Sequence, residues 1–108
     1  MVGTNVVVNV AKEFSPTLGA RMKMAGRNSG EDFFEKFSGV IEEAYRVNNS
    51  VTFNFDGCIG FPSSFFNEAF VRFANSLEIE PIQLWSFISI YSKQHEWLSD
   101  QVKEWVLS

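Results

Sequence analysis

The stretch from Val51 to Leu77 constrains the fold most. Val51, Phe53 and Phe55 alternate with Thr52 and Asn54, so a strand there carries its apolar side chains on one face and Asn54 on the other. Asp56-Gly57-Cys58-Ile59-Gly60-Phe61-Pro62 follows, a tight loop with two glycines and a proline. Ser63-Ser64 then opens a helix whose Phe66, Ala69, Phe70, Phe73, Ala74 and Leu77 share one stripe. Strand, loop, helix and a further apolar run after Pro81 make the pattern of a right-handed β-α-β unit.

The rest of the chain extends that pattern. Asn5 to Val10 is β-branched and reads as a strand. Ala11 to Gly30 is a long connection broken by Pro16, Gly19, Gly26 and Gly30. Its stretch Ala20 to Met24 is expected to be extended and to pair back on the first strand. Ser29-Gly30-Glu31-Asp32 starts a helix, with acids in the first turn where the helix dipole favours them. Phe33, Phe34, Phe37, Val40, Ile41 and Ala44 recur along it at helical spacing, and Asn48-Asn49 ends it. Gly39 costs that helix about 1 kcal/mol relative to Ala, which suggests close packing on a sheet. Glu42–Arg46 and Glu68–Arg72 are i,i+4 pairs in the favourable order. Ile82 to Ile90 reads as a buried strand, and Ser92 as the start of a last helix with Trp97, Leu98, Val102, Trp105 and Val106 inward. The expected fold is α/β: one domain over residues 1–108, with about four strands in a mixed sheet packed against three helices.

Composition sets the function classes that fit. The 108 residues suit one core, and 45% hydrophobic with 20% charged is a globular balance. Twelve Phe and three Trp are more aromatic surface than a small core usually holds, so either the core is Phe-rich or one surface is sticky. A net charge of −4 argues against nucleic acid as a partner. One cysteine permits no internal disulfide. No apolar run approaches the roughly 18 residues of a membrane span, and the start lacks a signal-peptide pattern, so no membrane association and a cytoplasmic location are expected.

Sites in open α/β sheets lie at the carboxyl ends of strands, which points to the loop from Asp56 to Ser64. Two readings of its serines stand side by side. One serine is a helix cap, with Gly57 and Gly60 letting the chain turn. Alternatively the helix start, with its free N–H groups and positive dipole end, holds an anion or a phosphate attached to Ser63 or Ser64. Asp56 before Gly57 reads as a turn residue whose carboxylate takes nearby N–H groups. Cys58 reads as a small buried residue and His95 as a helix-surface one. One Cys and one His make no metal site. Arg21, Lys23 and Arg27 in the glycine-punctuated connection are either solvated cations or a clamp on an anionic partner or nucleotide near the serine loop. No nucleophile-and-base pair is visible, so no enzyme and no cofactor is expected.

Several stretches together resemble a known family. Phe14-Ser15-Pro16-Thr17-Leu18-Gly19-Ala20-Arg21, Ser29-Gly30-Glu31-Asp32-Phe33, Phe55-Asp56-Gly57 and Gly60-Phe61-Pro62-Ser63-Ser64-Phe65 with Asn67-Glu68-Ala69-Phe70 are similar to the landmarks of the STAS-like domain family of unknown function. The resemblance runs from Phe14 to Phe73. It implies kinship with sulfate-transporter and anti-sigma-factor-antagonist domains. In those antagonists a serine at the matching helix start is phosphorylated by a kinase-fold partner, which switches binding off. By motif that serine is Ser63, with Ser64 beside it, and the implied partner is an ATPase of the histidine-kinase type. Here Pro62 precedes the serine pair and Phe65 follows it, where the antagonists have Asp and Gly. Val71-Arg72-Phe73 stands where the family often has Gly-Gly-Leu.

The sequence and the resemblance together suggest a non-catalytic regulatory adaptor or antagonist. It docks a protein partner through Asp56, Gly57, Gly60, Phe61 and Phe65, with Glu68 and Arg72 on the following helix. Ser63 is the switch and Ser64 the cap. A second reading is an anion- or nucleotide-sensing domain built on Arg21, Arg27 and the Ser63 helix start. A third is a stoichiometric inhibitor or assembly protein of a mobile element. Homo-oligomerisation is compatible with all three.

Overall fold

The computed structural model describes residues 3–108. Strand β1 (Asn5–Asn9) runs into a short helix α1 (Val10–Glu13). Helix α2 (Gly30–Val47) leads to strand β2 (Ser50–Asn54), and helix α3 (Ser63–Leu77) follows the glycine loop. Strand β3 (Ile88–Tyr91) and helix α4 (Leu98–Leu107) complete the order. The strands form a three-stranded sheet in the order β1-β2-β3, and both pairings are parallel. This corrects the expected four-stranded mixed sheet, while the α/β class holds. The stretch expected to pair back on β1 instead carries a single 3-10 turn, Lys23–Ala25. Its neighbourhood is tied elsewhere: Ile59 donates its N–H to the Pro16 carbonyl (2.7 Å), and Thr17 bridges Ile59 in parallel. The connection therefore lies over the glycine loop rather than against β1.

Alternation in β2 decides where the core sits. Val51, Phe53 and Phe55 are fully buried beneath α2 and α3, and Val8, Ile88 and Ile90 lie in the same layer. The opposite sheet face carries Asn5, Val7, Thr52, Asn54, Ser89 and Tyr91, and among the described residues no helix covers it: Val7 and Tyr91 are exposed. Parallel sheets are normally covered on both faces. This one tolerates water because its open face is largely Asn, Ser and Thr.

Helix α2 begins where Ser29 predicts. The Ser29 hydroxyl accepts from the Asp32 N–H (3.1 Å) and the Asp32 carboxylate accepts from the Ser29 N–H (3.0 Å), a reciprocal capping box. Asn48 closes the helix in the left-handed region, φ 62°. Other boundaries shift. Pro81–Ser86 is a 3-10 helix, so β3 begins six residues after Ile82. Proline pre-sets the helical φ at the first position and has no N–H for a sheet ladder. The last helix starts at Leu98 rather than Ser92, because the Ser92 hydroxyl is engaged in a turn with Asp56 and His95. Arg46 pairs with Glu43 (2.6 Å) instead of Glu42.

The two α2 glycines exchange their expected roles. A Cβ at Gly39 meets nothing within 4 Å, whereas one at Gly30 sits 2.7 Å from the Phe65 carbonyl oxygen. Gly30, not Gly39, is the close approach between α2 and α3. Gly39→Ala is therefore expected to stabilise the fold by about 0.5–1 kcal/mol. Gly30→Ala is expected to destabilise it by about 1–3 kcal/mol through forced separation of the helices. Urea unfolding of the two variants checks the opposite signs; a loss at both positions sinks the assignment.

Candidate functional site

The loop after β2 is shaped by backbone geometry first. Gly57 (φ 91°) and Gly60 (φ 73°) occupy the left-handed half of the map, where a side chain is strained. A Cβ at Gly57 also lies 3.1 Å from the Ala11 side chain. Between these hinges Cys58 points inward and is buried, and Ile59 points out, 71% exposed. Burial, with Asp56 adding to it, pushes the Cys58 thiol up to about 11, so it packs as a neutral group.

Asp56 makes the loop a clamp. Its Oδ1 accepts from the Ser92 hydroxyl (2.8 Å) and from the Gln94 N–H (3.0 Å). Gln94 Oε1 in turn accepts from the Gly57 N–H (2.9 Å), and the Ser92 hydroxyl accepts from the His95 N–H (2.9 Å). The expected turn residue thus bonds across the fold, to a segment 36 to 38 positions away. The hydrogen bond from the Gln94 N–H holds the Asp56 carboxyl below its ordinary value. Desolvation opposes that shift, and Ser92, the Lys93 N–H and the charge of His95 assist it.

The clamp places an aromatic group beside the loop. Phe61 meets His95 edge-on at 5.1 Å between ring centroids and Trp97 at 5.8 Å. Trp97 is 52% exposed and Phe61 and His95 are half-buried. His95 and Trp97 also meet, at 5.8 Å between centroids, so the three rings form one cluster, and Ile59 is exposed in the same loop. Helical periodicity from Ser92 puts His95 and Trp97 in α4 instead, but that helix begins only at Leu98. Of these residues the loop pattern points to Phe61, and the signal for His95 and Trp97 at this place is the aromatic content alone.

Helix α3 starts at Ser63 with Pro62 in the cap position, and no side chain caps it. Neither serine is the cap that the sequence suggests. Proline leaves Pro62 no hydroxyl to offer, and among the described residues neither serine hydroxyl has a hydrogen-bond partner. Ser63 is exposed and Ser64 half-buried. Both line a cleft of about 230 Å³ with Arg21, Asn67, Trp105 and Ser108. Arg21 Nη1 donates to Asn67 Oδ1 (2.8 Å) and to Glu68 Oε1 (3.3 Å), and Asn67 Nδ2 donates to the Trp105 carbonyl (2.9 Å). Of the two arginines expected near the serines, Arg21 arrives and Arg27 remains an exposed loop residue away from the cleft.

The remaining candidates divide. Phe65, expected as a surface anchor, is fully buried against Phe14, Phe33 and Phe66. The α3 stripe rotates it inward, so it supports the loop from below. Glu68 is held between Arg72, its i,i+4 partner, and Arg21, with Glu31 reaching Arg72 at 3.5 Å. Burial pushes the Glu68 carboxyl up, but the two guanidinium groups outweigh it and the net shift is downward. A larger hollow of about 840 Å³ lies at the other end of the sheet, bordered by Tyr45, Asn48, Asn49 and Phe87. It has no charged lining and stands apart from the loop. Among the described residues no three His, Cys, Asp or Glu side chains gather as metal ligands, and no helix is long and apolar enough to cross a membrane.

A carboxylate shifted downward by folding contributes fully above its ordinary range, near 3.9 for Asp, and is lost as pH falls through the folded value. The 92–97 turn is therefore expected to stay clamped down to about pH 4 and to loosen below it. Asp56→Ala is expected to loosen it at every pH. The amide resonance of Gln94 reports both; a shift unaffected by Asp56→Ala refutes the clamp.

A family model described as a STAS-like domain of unknown function (DUF4325) matches residues 29–83, which takes in α2, β2, the glycine loop and α3. No curated protein and no solved structure matches the chain.

Proposed function

The chain belongs to the STAS-like domain family of unknown function, and from that premise we propose that it is a regulatory protein-docking module. The observation that carries this reading is the half-exposed ring cluster of Phe61, His95 and Trp97, two residues along the chain from an uncapped serine pair. An indole that is half exposed and held edge-on by a phenylalanine is already ordered. A partner that covers it gains apolar area at little entropic cost. The Asp56 clamp holds the surface rigid, and Phe65 and Phe66 support it from the core.

Ser63 is the switch in this reading. Its hydroxyl is exposed, no side chain caps α3 among the described residues, and Arg21 borders the same cleft. A phosphate on Ser63 adds about two negative charges at the rim of the apolar surface. The helix start and Arg21 favour that charge, so the modified state is stable in the free protein while a partner that must desolvate it binds poorly. An ATPase of the histidine-kinase type is the partner that the family resemblance implies, and the module itself is non-catalytic. The same cleft supports a second reading, an anion-sensing domain, because Arg21, Ser63 and Ser64 converge on a space of about 230 Å³.

Affinity capture with and without ATP, read by mass spectrometry, tests the first reading. Trp97→Ala is expected to weaken retention of the captured partner by at least about tenfold, the scale of an interface hot spot, and Ser63→Glu to weaken it comparably. Full retention by both variants refutes the docking surface. A thermal shift with phosphate or nucleotides that is lost in Arg21→Ala favours the anion reading instead.

A further inference from the structure

The outer edge of β1 is open. Its only strand neighbour among the described residues is β2, and the pairing register alternates along it. Ser50 donates to the Thr4 carbonyl, so in the parallel ladder Thr4, Val6 and Val8 turn their backbone groups to β2. Asn5 and Val7 turn theirs outward, and the Asn9 N–H points outward too. The outward direction is visible at Asn9, whose N–H donates to the Glu13 carboxylate (2.7 Å) instead of to a strand. Natural edges are usually blunted by charge, proline or a bulge; Asn5–Asn9 reads Asn-Val-Val-Val-Asn and contains none of these.

That strand is a palindrome about Val7. We infer that β1 is the seam of a homodimer, in which the β1 strands of two copies pair antiparallel about a two-fold axis at Val7. The parity of the outward groups fits. Val7 opposes its own counterpart with both N–H and C=O directed across, and Asn5 opposes Asn9 of the second copy. Val7 exchanges both of its hydrogen bonds, while the Asn9 carbonyl closes the first turn of α1, so the backbone ladder of the seam is centred on Val7. Glu13 keeps the Asn9 N–H. The interface is isologous, as a closed dimer requires, and the sheet becomes continuous across it.

The helix layer is complementary under the same axis. Lys36, Gly39, Val40, Glu43 and Val47 recur at three- and four-residue spacing on one flank of α2. Part of that flank, with Val6, lines an apolar groove of about 370 Å³ beside β1. Val7 itself is 59% exposed on the open sheet face. The two-fold runs the α2 flanks antiparallel with Gly39 and Val40 near the axis. Lys36 of each copy then faces Glu43 of the other, which its own Arg46 also contacts. The charges alternate so that like meets unlike only in this antiparallel arrangement. This selects a second copy over an unrelated strand.

Sedimentation of the full chain across a concentration series tests the dimer. The expected result is a rise toward twice the 12.3 kDa chain mass. Val7→Pro removes an N–H that β2 does not use, so it should keep the circular dichroism of the parent and weaken dimerisation at least tenfold. Val7→Lys places two charges face to face across the axis and should weaken dimerisation as much, which keeps the test intact should the proline variant fail to fold. Lys36→Glu should weaken the dimer, and Lys36→Glu with Glu43→Lys should restore it. A monomer at every concentration overturns the inference and leaves the edge to a strand from another protein. So does a dimer that persists in a folded Val7→Pro or Val7→Lys variant.

Discussion

The fold depends on the packing of one ring. Phe33 lies within 4.8–6.3 Å, centroid to centroid, of Phe14, Phe37, Phe53, Phe55, Phe65, Phe70 and Phe73. These rings come from the connection, α2, β2, the loop and α3, so a single side chain ties both helices of the covering layer to the central strand. Many of the contacts are edge-on or tilted, as aromatic quadrupoles favour. The aromatic excess of the sequence is therefore spent mostly inside. Outside the core, Tyr45 and Tyr91 are exposed at other places, and Trp97 is exposed beside the half-buried Phe61.

The glycine loop translates that core into a surface. Phe55 below it and Phe65 and Phe66 beyond it are fixed by burial, and two left-handed glycines let the chain between them turn without strain. Asp56 then fastens the 92–97 turn to the loop by hydrogen bonds that belong to neither segment alone. Rigidity here arises from satisfying a carboxylate rather than from regular secondary structure. Such a site is ordered without being part of a helix or strand.

Periodicity makes much of this legible. The alternation of Val51, Phe53 and Phe55, the Phe stripe of α3 and the Ser29 capping box are local signals, and the structure follows each of them. The family landmarks from Ser29 onward lie within the span that the family model matches. What is not legible depends on tertiary contacts. Ala20 to Met24 reads as an extended piece that pairs back on β1, but the connection bridges the loop instead, through Thr17 and Ile59, a partner that no local pattern reveals. The delay of α4 to Leu98 follows from the engagement of Ser92 with Asp56, which lies 36 residues away. Gly30 and Gly39 look alike in sequence, and only the approach of α3 distinguishes them. The serine pair has cap chemistry in type but sits one position too late, because Pro62 takes the cap.

The bond from Asn67 to the Trp105 carbonyl has a further consequence. One amide group joins Arg21, in the connection, to the last turn of α4. Helix ends are where local opening costs least. The wall of the serine cleft is thus fastened to the end of the last helix. Opening of that turn releases the Asn67 amide nitrogen, while Glu68 still holds the Arg21 guanidinium. The shape of the cleft therefore depends on the order of a helix end, and its charge is anchored separately, on α3.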